Sequence, residues 1–378
     1  MMLKKRNQFF NPPTMQGITV QGTPQTFEIP NTQPIEEITV LVSGTVGGTA
    51  LTLTGVDNIL SLVKRIVLSV NDGVQPRSQV DFSGVGLLEY ASQVGLNLDR
   101  STLETVRLSK GATVAANMGF RIGYRIPIVH PMVTEPLRTR MLLPCHTWAQ
   151  APQLRLEFAN AAEMYSAGAL TGLTVEVIVK YRVMPADLTK SIIGGGGFIP
   201  SDLIETPYTI ATGVGGEQRF PIVTPGQYMN AMIRTYLGGA TVTRDVIDQV
   251  TTVGSESRWR IESGLAVLTE FRMKHLQTEN DQSRVANVLS QTSSPNFSGA
   301  VAANTSWQPA ASVLLDFMTD GLDSADELGS LLDCNIAPQA GLKMELVGNV
   351  ANVATNGSTI YIGGHRLFGD LKKWQAVR

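Results

Sequence analysis

Apolar and polar residues alternate along most of this chain with a period of two, in short runs separated by turn residues. Runs of this kind at 25–29, 35–43, 62–70, 119–129, 138–143, 153–158 and 173–183 each predict a strand. The run at 62–70 ends in Asn71-Asp72-Gly73, a tight-turn signal. The period changes over 80–98, where Leu87, Leu88, Ala91, Val94 and Leu98 share one helical face and predict a helix packed on a sheet or a subunit neighbour. Ser101 and Glu104 have capping-box spacing for another helical turn. The second half repeats the plan. Strand-like runs at 218–223, 228–236, 258–261, 312–318 and 358–368 accompany a helical stretch within 265–289, with Leu268, Phe271 and His275 on one face. Ser324-Ala325-Asp326-Glu327 caps a short helix leading to Leu331.

The halves also end alike. Leu142-Leu143-Pro144-Cys145, Ala151-Pro152-Gln153 and Leu154-Arg155-Leu156-Glu157-Phe158 correspond to Leu331-Leu332-Asp333-Cys334, Ala337-Pro338-Gln339 and Leu342-Lys343-Met344-Glu345-Leu346. Leu154 and Leu342 lie 188 positions apart (342 − 154) in a chain of 378, and each copy is followed by one more strand-like run. Two β-rich domains of one fold in tandem are predicted. The division is an N-terminal arm at 1–20, a first domain at 21–190, a Gly-rich linker at 191–207 around Gly194 to Gly197, and a second domain at 208–378. Glu157 and Glu345 should be equivalent, and Cys145 and Cys334 too far apart to bond.

Eight strands of about 5–6 residues use fewer than ~50 residues of each half, so loops and short helices make up the rest. Such decorated β-sandwiches are typical of jelly rolls. Three segments carry a more specific likeness: Gln153 to Asn160 (QLRLEFAN), Tyr124-Arg125-Ile126-Pro127-Ile128 with its following loop, and Val63-Lys64-Arg65-Ile66-Val67-Leu68 before an Asn-Asp turn. In these the chain resembles the double jelly-roll major capsid proteins of tailless, membrane-containing phages, the tectiviruses and relatives, a lineage that includes adenovirus hexon. The resemblance implies an all-β fold with short helices, two tandem eight-stranded jelly rolls. It further implies homotrimeric, pseudo-hexagonal capsomers tiling an icosahedral shell over an internal membrane, with minor capsid and vertex proteins as partners. The location implied is the virion, after synthesis in the host cytoplasm.

Composition agrees with a self-associating protein. Charged residues are 16% of the chain, against about 25% in soluble proteins generally, and the formal net charge is −2. Sparse charge suits a surface hidden in permanent subunit contacts, and no basic excess is available to grip nucleic acid. The 36 glycines and 19 prolines among Val, Ile and Thr fit many short strands joined by turns. The two cysteines, at corresponding places, read as buried thiols of a protein made in a reducing cytosol. No apolar run approaches the ~18–20 residues of a membrane-spanning helix, and no apolar stretch follows the basic start to make a signal peptide.

Catalytic chemistry finds no support in the motifs. His130, His146, His275 and His365 are scattered and read as separate structural residues. Neither a Gly-x-Ser-x-Gly elbow nor a phosphate-binding Gly-Lys-Ser/Thr loop is present. Asp320, Asp323, Asp326 and Glu327 lack the spacing of a calcium loop and read as a solvated helix start. The sequons at Asn296, Asn304 and Asn356 mean little without a secretory signal, and Tyr208, Tyr228 and Tyr236 are too separated to stack bases. No catalytic, cofactor-binding or metal-binding residue is therefore assigned, and no cofactor is expected. The alternatives are a tandem jelly-roll carbohydrate-binding or spike protein, against which Trp148, Trp259, Trp307 and Trp374 are dispersed, and a jelly-roll enzyme, which needs a metal cluster. One candidate contact stands out in the arm. Lys4, Lys5 and Arg6, followed by Phe9 and Phe10, suit an anionic membrane surface or a clamp on a neighbouring subunit.

Overall fold

The computed structural model describes residues 4–10, 22, 24–53, 57–71, 73, 76–96, 102, 105, 113–135, 137–194, 197–210, 217–221, 226–237, 249–253, 258–262, 312–316, 332–333, 343–347 and 358–368. The first half supplies β1 (Lys4–Phe10), β2 (Gln25–Glu28), β3 (Ile35–Val46), β4 (Val63–Asn71), β5 (Pro76–Phe82), β6 (Gly119–Pro127), β7 (Gln153–Phe158) and β8 (Leu170–Val183). These form two sheets, in the orders β1-β8-β3-β6 and β2-β7-β4-β5. The second half supplies β9 (Ser201–Ile210), β10 (Glu217–Pro221), β11 (Asn230–Leu237), β12 (Gln249–Val253), β13 (Arg258–Glu262), β14 (Ser312–Asp316), β15 (Lys343–Val347) and β16 (Ser358–Leu367). Their orders are β9-β16-β11-β14 and β10-β15-β12-β13. Adding eight to each strand number of the first sandwich gives the second, and in each the sequence-adjacent strands alternate between the two sheets, as in a jelly roll, except for the paired neighbours β4–β5 and β12–β13.

Alternation places the core of the first sandwich. Ile38, Val40 and Val42 of β3 and Val175, Val177 and Val179 of β8 join one buried cluster with Ile66 and Leu68 of β4 and Leu154 and Leu156 of β7. Burying each such side chain contributes about 1.5–3 kcal/mol. In β7 the pattern is regular, with Leu154, Leu156 and Phe158 buried and Gln153 and Arg155 exposed. The repeat read from sequence is thereby structural. β7 lies between β2 and β4, and β15 holds the same place between β10 and β12. β8 and β16, the runs that follow, are likewise equivalent in their sheets.

Helix α1 (Gly84–Gln93) replaces the longer helix expected over 80–98, because Val80 and Phe82 already belong to β5. Ser83 ends the strand and caps the helix, its hydroxyl accepting from the Gly86 N–H at 3.1 Å. All ten residues of α1 are buried, not one face alone, since it packs between β4 and β6 and also touches β14 of the second half. A helical piece at Thr102 and Thr105 covers the outer edge of β6. The Thr102 hydroxyl accepts from Gly123 N–H at 2.8 Å and the Thr105 hydroxyl from Arg121 N–H at 3.1 Å, so that edge is closed to a foreign strand.

Several expectations are corrected. Within the stretch 1–20, Lys4–Phe10 is a strand and not a free arm, pairing antiparallel with β8 from Lys4↔Val183 to Phe10↔Val177. Its mixed pattern hid a strand whose backbone bonds are supplied by a neighbour distant in sequence, and the first domain begins with it. The stretch 191–207 is not all linker. It holds the end of α2 (Ala186–Gly194) and the start of β9. Gly197, at φ 84°, donates its N–H to Ile192 O at 2.9 Å and closes the helix end. Pro207 is tolerated inside β9 because the pairing with β5 stops at Ile204, leaving the proline on the free side. The strand expected at 138–143 is a helical turn at Leu137–Arg140, capped by Glu135, which accepts from the Thr139 N–H at 3.1 Å. β12 was not foreseen. The helices expected within 265–289 and after Ser324, and the Ser101–Glu104 box, lie outside the described residues.

Gly84 sits where a Cβ would fall 2.2 Å from the backbone carbonyl oxygen of Val63, whereas a Cβ on Gly48 would meet nothing within 4 Å. Gly84→Ala should therefore cost ~1–3 kcal/mol in chemical denaturation, and Gly48→Ala less than ~0.5 kcal/mol. Equal midpoints for the two variants would contradict the close approach of α1 to β4.

Candidate functional site

Strands β5 and β9 carry charged residues at positions where a sandwich strand is normally apolar, and the reason is that they meet. β5 pairs in parallel with β9 at Val80↔Leu203 and Asp81↔Ile204, which fuses one sheet of each sandwich into a single sheet running β14-β11-β16-β9-β5-β4-β7-β2. Two backbone pairs are a short seam, and buried polar side chains extend it. Gln79 donates to the Ser201 carbonyl, and Glu205 accepts from the Ser83 N–H at 3.0 Å. Arg234 of β11 donates to Ser83 Oγ at 2.6 Å and Glu205 Oε1 at 3.0 Å, approaches Glu89 Oε2 at 3.7 Å, and lies 4.5 Å from the centre of the Tyr361 ring. Arg234, Glu205 and Glu89 are all buried. The start of α1 is thus tied to β9 and β11 through one guanidinium.

Farther along, Arg366 of β16 donates to Asp202 of β9 in a two-point pair, 2.9 Å at its Nε, and Arg77 of β5 lies 4.6 Å from the centre of the Phe368 ring. Between these ion pairs sits a buried histidine cluster. His130, just beyond β6, and His365 of β16 stand edge to face with ring centres 5.4 Å apart. The Tyr90 hydroxyl of α1 is 2.8 Å from His365 Nδ1, and Asn230 of β11 contacts Tyr90, His130 and the His365 backbone. Every member is buried. The histidines read as separate in sequence are therefore brought together here, while His146 stands apart against Phe198 and His275 lies outside the described residues.

A second network braces the first sandwich alone. Glu36 of β3 accepts from Arg182 and, at 2.7 Å, from Arg138, with Lys180 at 3.3 Å. Burial works against the charge of Glu36, but the two arginine hydrogen bonds and the charges of Arg138 and Lys180 outweigh it and hold the carboxyl at about 2. Cys145 is buried, its thiol bonded to the Gln33 carbonyl at 3.3 Å, and burial pushes it up to about 12, which makes it unreactive at neutral pH. Cys334 lies outside the described residues, as do the acidic set at 320–327 and the three sequons. Lys4, Lys5, Arg6, Phe9 and Phe10 all fall on β1, at the edge of its sheet.

A cavity of about 300 Å³ opens beside the seam, lined by Lys64, Ser83, Glu163, Arg234 and Tyr361 among others. Among the described residues, no three His, Cys, Asp or Glu side chains converge as metal ligands. No helix of the described residues is long and apolar enough to cross a membrane.

No family model and no curated protein matches the chain. Solved structures do. The capsid protein of Sulfolobus Turreted Icosahedral Virus superposes with a TM-score of 0.66 at 15% identity, over 99% of this chain and 99% of that one. The major capsid protein P2 of bacteriophage PM2 gives 0.56 at 10% identity, over 97% and 98%. The PBCV-1 capsid protein gives 0.56 at 12%, over 98% and 96%. The fold is the double jelly roll. Coverage of both chains almost end to end means that both rolls are matched, and the seam described above is where the two rolls of one chain join.

Replacing Arg234 by Met leaves Glu205 and Glu89 buried with their shared cation gone. Chemical denaturation should show a loss of ~3–5 kcal/mol. A loss under ~1 kcal/mol would mean that the guanidinium does not hold the rolls together.

Proposed function

We propose that this chain is a viral major capsid protein, a structural and not a catalytic component, that assembles as pseudo-hexagonal homotrimers tiling an icosahedral shell. The observation that carries the reading is the strand-for-strand duplication, fused through one sheet and matched end to end by capsid proteins. Two equivalent rolls per chain and three chains per capsomer present six near-equivalent edges, so hexagonal packing follows from a trimer. The sparse charge of the chain, 16%, suits the dry, extensive interfaces such trimers need. Partners in this reading are neighbouring capsomers, minor capsid and vertex proteins, and an internal lipid membrane, in a virion assembled from protein made in the host cytoplasm.

The edge strand β1 is the proposed contact with that membrane or with a neighbouring subunit. Lys4, Lys5 and Arg6 contribute about 1 kcal/mol each near an anionic surface, weak per copy but multiplied over a shell. Since Lys4–Phe10 is a strand of the first roll, deleting it would disturb the fold as well as the contact.

Light scattering of purified protein should give a trimer throughout the micromolar range; a monomer there overturns the capsomer reading. Threonine at positions 4, 5 and 6 preserves strand propensity while removing the charge. That variant should fold normally and lose binding to vesicles containing phosphatidylserine, and unchanged vesicle binding would assign β1 to subunit contacts instead.

A further inference from the structure

The seam inside the chain joins one sheet end of each roll and leaves the matching ends unused. In the first roll β5 ends the sheet β2-β7-β4-β5, in the second β9 ends the sheet β9-β16-β11-β14, and these are the two ends that pair. The counterpart of β5 in the second roll is β13, and the counterpart of β9 in the first roll is β1. Both are again sheet ends. β1 flanks β8 and β13 flanks β12, and among the described residues neither pairs with a strand on its other side. An open strand edge is a row of N–H and C=O groups ready to take another strand. The opposite end of the sheet that holds β1 differs, since the piece at Thr102 and Thr105 covers β6 there.

The duplication carries a register as well as an edge. Leu156 of β7 and Met344 of β15 correspond in the repeated segments. Leu156 lies opposite Ile66 of β4, and Ile66 opposite Phe82 of β5. Met344 lies opposite Thr252 of β12, and Thr252 opposite Trp259 of β13. Phe82 and Trp259 therefore hold the same place, and so do Asp81 and Arg258 one step before them. On the other side of the seam, Ser201 of β9 pairs with Leu367, the last residue of β16, and Lys4 of β1 pairs with Val183, the last residue of β8. Ser201 and Lys4 thus correspond, and three residues farther on so do Ile204 and Asn7. The seam sets Asp81 beside Ile204. Its counterpart sets Arg258 beside Asn7.

We propose that the seam is repeated between chains: the edge of β13 in one copy pairs in parallel with the edge of β1 in the next, Arg258 beside Asn7, and three such contacts close a ring of six rolls. This pairing rests on the trimeric reading above and names the two strands that build the trimer. A contact between unlike edges either closes into a ring or runs on as an open chain, according to its rotation. Closure at three copies is what the capsomer reading requires. Lys4 and Lys5 lie ahead of the paired position, so their charges are left to the contact proposed above for β1.

Asn7→Cys and Arg258→Cys together test it, in a chain carrying Cys334→Ser, with Cys145 buried and unreactive. Neighbouring strands set their Cα atoms ~4.8 Å apart, inside the ~4.4–6.8 Å that a disulfide spans. Mild oxidation of the double variant should give covalent dimers and trimers on a non-reducing gel, and nothing larger. A bis-maleimide, which does not depend on disulfide geometry, should give the same ladder. Each single variant should stay at one chain, because like positions do not meet in a contact between unlike edges. Oxidation of Asn7→Cys with Glu262→Cys should give little ladder, since a four-residue slip moves the partner ~13 Å along the strand. Light scattering of the same samples before oxidation keeps the two readings apart. A trimer with no ladder from either reagent overturns the pairing and leaves the capsomer standing, whereas a monomer overturns both. A ladder that runs past three chains, or one that a single variant or the Glu262 pair matches, also overturns the pairing.

Discussion

The parallel contact of β5 with β9, two residue pairs long, is the constraint on which the rest of the molecule depends. Apolar packing spans the junction, since Leu203, Met232 and Leu314 of the second roll join the buried cluster of the first. The short backbone seam gives the direction of attachment. Arg234, Gln79 and the His130–Asn230–His365 cluster then fix its angle, because buried hydrogen bonds lose their value if the geometry slips. Helix α1 is the pivot. It leaves β5 at Ser83, packs between β4 and β6 with every residue buried, and presents Glu89 and Tyr90 to the second roll.

A rigid pair of like rolls is what the proposed capsomer requires, since with freely turning rolls three chains would not define the proposed hexagonal outline. The seam charges of Glu89, Glu205 and Asp202 are matched by Arg234, Arg366 and nearby Arg77, so the joint is neutral as a whole. Such pairs add less to stability than apolar packing of equal volume would, and their contribution is to orientation.

Much of this architecture was legible in the sequence where strands have one wet and one dry face. β7, with Leu154, Leu156 and Phe158 inward, was read to the residue, and its resemblance to β15 located the duplication. Three of the strands that escaped notice are ones for which alternation fails for a physical reason. β1 is an edge strand with a mixed pattern. β5 (PRSQVDF) and β9 (SDLIETPYTI) carry Asp81, Asp202 and Glu205, which polar partners hold: Arg65 of β4 for Asp81, Arg366 of β16 for Asp202, and Ser83 across the seam for Glu205. The histidine cluster had no local signal at all, since its members come from Tyr90, His130, Asn230 and His365, on elements far apart in the chain.

The central claim is that the seam makes two rolls into one mechanical unit. Differential scanning calorimetry of the purified protein at several concentrations tests it directly. The account predicts one transition in which both rolls melt together, with a calorimetric-to-van't Hoff enthalpy ratio of about one per cooperative unit. Two resolved transitions, each carrying roughly half of the heat and shifting independently on Arg234→Met, would contradict it.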